Sequence, residues 1–339
     1  MNWKKVLNSL EEGILIINGS KVLFANNFLL ENQIIREDWQ DKNYYEALKS
    51  LSLISIIGKA LNNQDSFSEE FQYMERFYKV KPKKIDDLVI FEIYDISFLR
   101  KYELSRKEFV DNASHELKTP ISVIRGILET LFEEEDQERK RKFLEKALNR
   151  VNQMQNLVED LLTLTKLESG KEKLNLSEFS LKELVDEIYE DLKEEFAKRE
   201  VTFENLVDSS FKITADRQKF YLLLRNLVDN GVKYNKKGGK VWVSSERDKE
   251  SWIIEVGDTG IGIPNEHLPF IFERFYRVDK GRSREVGGTG LGLSIAKHIA
   301  LFHEGQIKVY SELGKGSRFI VIMPFALNRK LTKLGLYYT

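Results

Sequence analysis

The chain contains no cysteine. That excludes disulfides, thiolate metal sites, iron–sulfur clusters and thiol catalysis, and it fits a reducing compartment. Histidine is scarce, 4 residues in 339, with none before His115, so the first hundred residues have no imidazole to offer a haem. Charge of one sign is also lacking. Lys and Arg number 53 against 54 Asp and Glu, a net charge of -1, so there is no bulk pull toward nucleic acid or an anionic membrane, and neither is expected as a partner. No stretch approaches the ~18–20 consecutive apolar residues of a membrane-spanning helix. The first ten residues carry Lys4 and Lys5 with no apolar core behind them, unlike a signal peptide. The expectation is a cytoplasmic chain, or the cytoplasmic part of a membrane-anchored protein, with no membrane contact of its own.

What is present is a globular composition, 42% hydrophobic and 32% charged, long enough for two or three domains. The pattern divides the chain at 1–98, 99–170 and 171–327, with a short basic tail over 328–339 that no pattern places. In the first segment, Ile14–Ile17 and Val22–Phe24 flank Asn18-Gly19, which predicts a hairpin. Helical residues follow to Ala60. Phe67–Val80 and Leu88–Ile96 then alternate like strands, with a turn expected at Pro82-Lys83-Lys84. In the second segment, Val110, Ala113, Leu117, Ile121, Ile124, Leu128 and Leu131 recur at helical steps. After the acidic break Glu133–Asp136, Leu144, Ala147, Val151, Met154, Val158, Leu161 and either Leu164 or Leu167 do the same until Gly170. Two long amphipathic helices form a hairpin with one wide apolar face and nothing of its own to cover it. Two copies would bury that face as a four-helix bundle, so a homodimer is expected. The third segment alternates helix and strand, with a helix near Leu181, a strand at Thr202–Leu206, a helix at Lys219–Lys233, strands at Lys240–Ser245 and Trp252–Asp258, a glycine-rich stretch leading into a helix at about 291–302, and a closing strand pair. The whole is a multidomain α+β chain.

Four motifs carry chemistry. In Ser114-His115-Glu116-Leu117-Lys118-Thr119-Pro120, His115 lies about 200° around the helix from the apolar Leu117 and so faces solvent. Glu116 is placed to orient or deprotonate it, and Thr119 shares its face one turn on. An exposed neutral imidazole keeps a lone pair free to accept a phosphoryl group, although a surface histidine by itself is usually no more than that. In Asn226-Leu227-Val228-Asp229-Asn230-Gly231-Val232-Lys233-Tyr234, the amides of Asn226 and Asn230 point one way, as ligands for a Mg²⁺ that also carries phosphates. Lys233 can reach a phosphate from the same face. Asp258-Thr259-Gly260-Ile261-Gly262-Ile263-Pro264 follows a strand. Gly260 and Gly262 allow close backbone approach, and Asp258 can accept from an exocyclic amine such as adenine's. Gly287-Gly288-Thr289-Gly290-Leu291-Gly292 opens a helix and presents bare amides to an anion. It lacks the Gly-Lys-Ser/Thr of a P-loop, and no strand runs straight into it as a dinucleotide fingerprint requires.

Order and combination lift these motifs above their separate bland readings. His115–Pro120 resembles the H-box of sensor histidine kinases, Asn226–Tyr234 their N-box, and Asp258–Pro264 their first glycine box. Phe272-Glu273-Arg274-Phe275-Tyr276-Arg277 resembles the F-box, Gly288–Leu293 the second glycine box, and Gly314–Phe319 the closing signature, all in the family's order from about 105 to 325. The PhoR-like class is the nearest subgroup. Gly231 stands where alanine is usual, and His303-Glu304-Gly305 replaces His-Gly-Gly. The opening hairpin with Ala25-Asn26 more loosely resembles a PAS sensor domain.

The resemblance implies a HisKA-type dimerisation hairpin and a GHKL-type ATP-binding fold like that of gyrase and MutL, with a lid between Phe275 and Gly288. It implies that Asp258 reads adenine. Asn230 holds Mg²⁺ with help from Asn226, and Lys233, Tyr234 and Arg277 meet phosphates beside Gly288, Gly290, Leu291 and Gly292. His115 takes the γ-phosphoryl group of ATP with Glu116 as base and hands it to an Asp on the receiver domain of a response regulator. Thr119 would position water in a phosphatase state. A GHKL ATPase clamp leaves His115 without a role, and a non-catalytic sensor scaffold leaves Asn230, Asp258 and the glycines without one.

Overall fold

In a computed structural model, described here for residues 3–62, 67–170, 172–278 and 288–325, the chain forms two units, residues 1–108 and 109–339. The first opens with a short helix α1 (Trp3–Asn8), whose Trp3 ring meets Phe24 at 5.4 Å. Strands β1 (Gly13–Asn18) and β2 (Lys21–Ala25) pair around Gly19, whose φ is +57°. Helices α2 (Asn27–Glu31), α3 (Tyr44–Ala47) and α4 (Leu51–Asn62) follow. Strands β3 (Glu69–Tyr73), β4 (Arg76–Ile85) and β5 (Leu88–Asp95) complete an antiparallel sheet in the order β2-β1-β5-β4-β3. Leu15, Ile17, Leu53, Ile57 and Phe91 form its core. The fully buried Asn26 ties the N-terminal turn down, accepting from the Ile14 amide and donating to the carbonyls of Leu7 and Glu12.

Two expectations fail in this sheet. Phe67–Val80 is not one strand but parts of two, turning at Met74, where φ is +52°. Pro82-Lys83-Lys84 is no turn but lies within β4, and the reversal falls at Asp86 with φ +53°. The proline is tolerated because β3 pairs with β4 only as far as Val80, so that at Pro82 the strand has a partner on one side alone.

Helix α5 (Ser97–Glu133) starts in the first unit and continues into the second. Its start is fixed by Ser97, whose amide donates to Asp95 Oδ1 at 2.8 Å and whose hydroxyl oxygen accepts from the Phe77 amide at 2.8 Å, and by an Arg100–Glu70 ion pair. It runs unbroken through Pro120. Asp136 caps helix α6 (Gln137–Glu168) by accepting from the Arg139 amide, and Gly170 follows the helix with φ +62°. The apolar residues of this hairpin divide in a way the periodicity does not show. Leu157, Leu164 and Leu167 are buried in the core of the following α/β part, each such burial adding about 1.5–3 kcal/mol. Ile121, Leu128, Val151 and Val158 remain 51%, 47%, 46% and 42% exposed and edge a groove of about 630 Å³.

That α/β part begins with β6 (Leu176–Ser180) and α7 (Leu181–Arg199), then β7 (Thr202–Asn205), β8 (Lys212–Asp216) and α8 (Arg217–Lys233). Strands β9 (Lys240–Arg247) and β10 (Ser251–Asp258) precede helix α9 (Gly292–Phe302), and β11 (Gln306–Glu312) and β12 (Gly316–Pro324) close it. The main sheet runs β11-β12-β10-β9-β7, with β7 parallel to β9 and the rest antiparallel. The small β6-β8 pair was not legible in the sequence; its strands are short and only partly apolar.

Candidate functional site

Helix α8 shows seven buried residues to the core, Phe220, Leu223, Leu224, Leu227, Val228, Gly231 and Val232. That fixes its other side, with the half-buried Asn226, Asn230, Lys233 and Tyr234, beside the glycine segments. The start of α8 is held by Asp216, which accepts from the amides of Lys219 and Asn175. The Asp216 amide in turn donates to Nε2 of the buried His303 at 3.0 Å. That bond makes Nε2 the acceptor and puts the proton on Nδ1, which donates to the Ile299 carbonyl at 2.8 Å. Burial lowers the His303 pKa, so this histidine is a neutral structural clamp.

Asp258 ends β10 with 9% exposure. Its Oδ1 accepts from the amides of Gly260 at 2.7 Å and Ser317 at 3.3 Å. Desolvation pushes its pKa up to about 6 against the pull of those two N–H groups. A Cβ at Gly260 would stand 2.3 Å from the Tyr234 carbonyl, so only glycine lets the loop cross the end of α8 there. Gly262 is buried against the Glu312 carbonyl.

Gly290, at φ +74°, lies over Phe275, whose amide donates to the Gly290 carbonyl at 2.9 Å. A Cβ at Gly288 would lie 3.7 Å from the Tyr234 hydroxyl, and one at Gly292 3.0 Å from Asn226 Oδ1. Tyr234 and Asn226 therefore flank the loop that starts α9. Leu291 is buried at the N-cap, where no side chain caps the helix. The Nδ2 of Asn226 is buried without a hydrogen-bond partner. An orphaned amide donor beside an uncapped helix N-terminus fits an anionic ligand such as a nucleotide's phosphates. Among the described residues no three His, Asp or Glu side chains gather to hold a metal. The Asn226 and Asn230 oxygens suit a Mg²⁺ that brings phosphate ligands with it. Lys233 is paired with Asp229 at 2.5 Å. The segment expected as a lid, Asp279–Gly287, lies outside the described residues.

On α5, His115 and Thr119 are exposed and Glu116 is half-buried, with Leu117 packed on the core. Thr119 Oγ1 donates to the His115 carbonyl at 3.2 Å. The α/β part meets this hairpin through pairings that the motifs did not show. Arg277 Nη2 donates to Glu116 Oε2 at 3.1 Å and to the Gly288 carbonyl at 2.5 Å, with its side chain 9% exposed. Thr289 Oγ1 donates to Asp160 Oδ2 at 2.8 Å. Arg274 Nη2 lies 2.6 Å from Glu168 Oε1, close ion pairing whose angles are not those of a hydrogen bond, and His298 Nε2 lies 3.3 Å from the same oxygen. Arg274 also stacks on Phe109, which meets Phe275. Burial raises the Glu168 pKa against the pull of Arg274 and lowers that of His298. Asp160 and Glu168 belong to none of the sequence motifs. Only the packing of α9 and the Phe275 segment on α6 gives them partners.

Residues 105–170 match the family model for the His Kinase A (phospho-acceptor) domain, and residues 215–327 that for the histidine kinase-, DNA gyrase B-, and HSP90-like ATPase. The chain belongs to the sensor histidine kinases. The sensor-like histidine kinase SenX3 of Mycobacterium tuberculosis is 35% identical over 233 residues, 68% of this chain and 57% of SenX3. The phosphate regulon sensor protein PhoR of Pseudomonas aeruginosa is 36% identical over 229 residues, 67% of this chain and 52% of PhoR. The chain thus spans little more than half the length of these histidine kinases. The solved structure of the Acinetobacter baumannii histidine kinase AdeS covers 62% of this chain and 98% of its own, at 27% identity and a TM-score of 0.52. An ATP-binding fold and a phospho-acceptor hairpin in one chain are the family's two working parts. Among the described residues no helix is long and apolar enough to cross a membrane.

Proposed function

We propose that the chain phosphorylates its own His115 from Mg-ATP and passes the phosphoryl group to an aspartate on the receiver domain of a response regulator. The observation that supports this most directly is the 3.1 Å contact between Arg277 and Glu116. It joins the arginine assigned to phosphate to the carboxylate next to the exposed imidazole, so the acceptor helix is within reach of the nucleotide-binding part. Asp258 accepts from the adenine amine. Asn226 and Lys233, with the amides at the start of α9, meet the phosphates beside Tyr234. Asn230 would hold Mg²⁺, which would supply neutralisation of charge on the phosphates. A ring nitrogen of His115 attacks the γ-phosphorus, the bond to the β-phosphate oxygen breaks, ADP leaves, and Glu116 takes the ring proton. In-line positioning and charge neutralisation are what this transfer requires. In the second step the P–N bond breaks as an aspartate oxygen of the receiver bonds to phosphorus.

Two copies cover the groove over Ile121, Leu128 and Val158 as a four-helix bundle. The first unit serves as a PAS-like sensor whose state reaches His115 through α5. Thr119, exposed one turn from His115, holds a water that dephosphorylates the receiver in an alternate state. Use of ATP places the reaction in the cytoplasm. The test is incubation with γ-labelled ATP and Mg²⁺ beside a His115→Ala variant. Acid-labile protein label is expected in the wild type and none in the variant. ATP turnover without label supports an ATPase clamp instead, and neither label nor turnover a non-catalytic scaffold.

A further inference from the structure

Two donors beside the proposed phosphate site are engaged by carboxylates of the hairpin, one from each helix. Thr289, in the loop that opens α9, donates its hydroxyl to Asp160 on α6 at 2.8 Å. Arg277 donates to Glu116 on α5 at 3.1 Å. Asp160 is half-buried, and that burial raises its pKa against the pull of the Thr289 hydrogen bond and of two nearby cations, Lys233, the lysine assigned to phosphate, and Arg225. A carboxylate offers hydroxyl, ammonium and guanidinium donors the same kind of anionic oxygens that a phosphate does. We propose that Asp160 and Glu116 stand in for the phosphates, so that docking of the nucleotide-binding part on its hairpin and binding of Mg-ATP compete for the same groups. The inference rests on the reading of this site as an ATP site and adds how that site is regulated.

Two consequences follow from the geometry. A triphosphate entering beside Thr289 and Lys233 sets like charge against a half-buried carboxylate, and the Asp160 contact gives way. When Arg277 turns to the phosphates, Glu116 loses its cation and becomes free to take the ring proton of the adjacent His115. The base is thus released only when the substrate is in place. The packing of Leu164 and Leu167 and the Arg274–Glu168 pair use no group assigned to phosphate, so they persist while the Asp160 and Glu116 contacts open. By linkage, the factor by which the Asp160 and Glu116 contacts weaken nucleotide binding is the factor by which the nucleotide weakens those contacts.

The test uses the full chain with Mg²⁺ and a non-hydrolysable ATP analogue, comparing the wild type with Asp160→Asn, which removes the charge, and Asp160→Ala, which removes the group. Both variants should bind the analogue about 5- to 20-fold tighter than the wild type, at the low end of usual coupling factors. In the wild type, amide hydrogen exchange over residues 157–163 should quicken when the analogue is added, a readout that needs no variant. Equal or weaker binding by both variants, or exchange that ignores the analogue, overturns the inference while leaving the ATP site standing. If neither the wild type nor the variants bind the analogue, the reading of the site fails, and this inference fails with it.

Discussion

Asp258 shows how a binding residue can weigh on the fold. Burial raises its pKa to about 6, above the ~3.9 of an unfolded chain. Between these values the folded state binds more protons than the unfolded one. Its contribution is therefore most favourable below the unfolded value, declines as pH rises through the window, and levels off above about pH 6. Asp258→Asn keeps an oxygen for the amides of Gly260 and Ser317 and does not titrate. In thermal unfolding without nucleotide, the variant should match the wild type near pH 4 and exceed it at pH 8 by on the order of 2 kcal/mol, while its affinity for adenine nucleotides falls. A variant no more stable than the wild type at pH 8 would mean that the carboxylate is better solvated than its burial indicates.

At the scale of elements, the hairpin carries more apolar surface than its own chain covers. No residue of α5 is fully buried, and the groove bordered by Ile121, Ile124, Leu128, Phe132, Met154 and Val158 lies open along both helices. Leu128→Glu combined with Val158→Glu places charges at the centre of the proposed bundle, where an unpaired charge is strongly unfavourable. Sedimentation should show the wild type as a dimer and the double variant as a monomer. Its helical content should hold, because both positions are already exposed in the single chain, at 47% and 42%. A wild type that sediments as a monomer, or a variant that stays dimeric at micromolar concentration, would count against the second copy.

For the whole molecule, the feature that matters is the continuity of α5 from Ser97 to Glu133. Its first turn is tied to β3, β4 and the end of β5 through Glu70, Phe77 and Asp95, and Glu116 lies further along it. One residue inserted after Tyr102 turns everything beyond by about 100°. The expected result is that autophosphorylation no longer follows the state of the first unit while affinity for the ATP analogue stays within about twofold of the wild type, because additivity holds for distant sites. Regulation that survives the insertion would show that the helix carries no rotational signal.

Much of this protein was legible in its sequence because local patterns carry local physics. Asn18-Gly19 set the first hairpin and helical steps from Val110 to Leu131 marked α5, while glycines with Asp258 and two asparagines one turn apart led to the expectation of a nucleotide site. Where residues far apart in the chain had to meet, the sequence was silent. Pro82 sits in a strand because β3 ends early beside it. Asp160 and Glu168 have partners because α9 and the Phe275 segment pack on α6, and His303 clamps the start of α8 across the core. Helix and turn preferences act between neighbours a few residues apart, whereas these contacts exist only after the core has closed, when burial decides which polar groups must find each other.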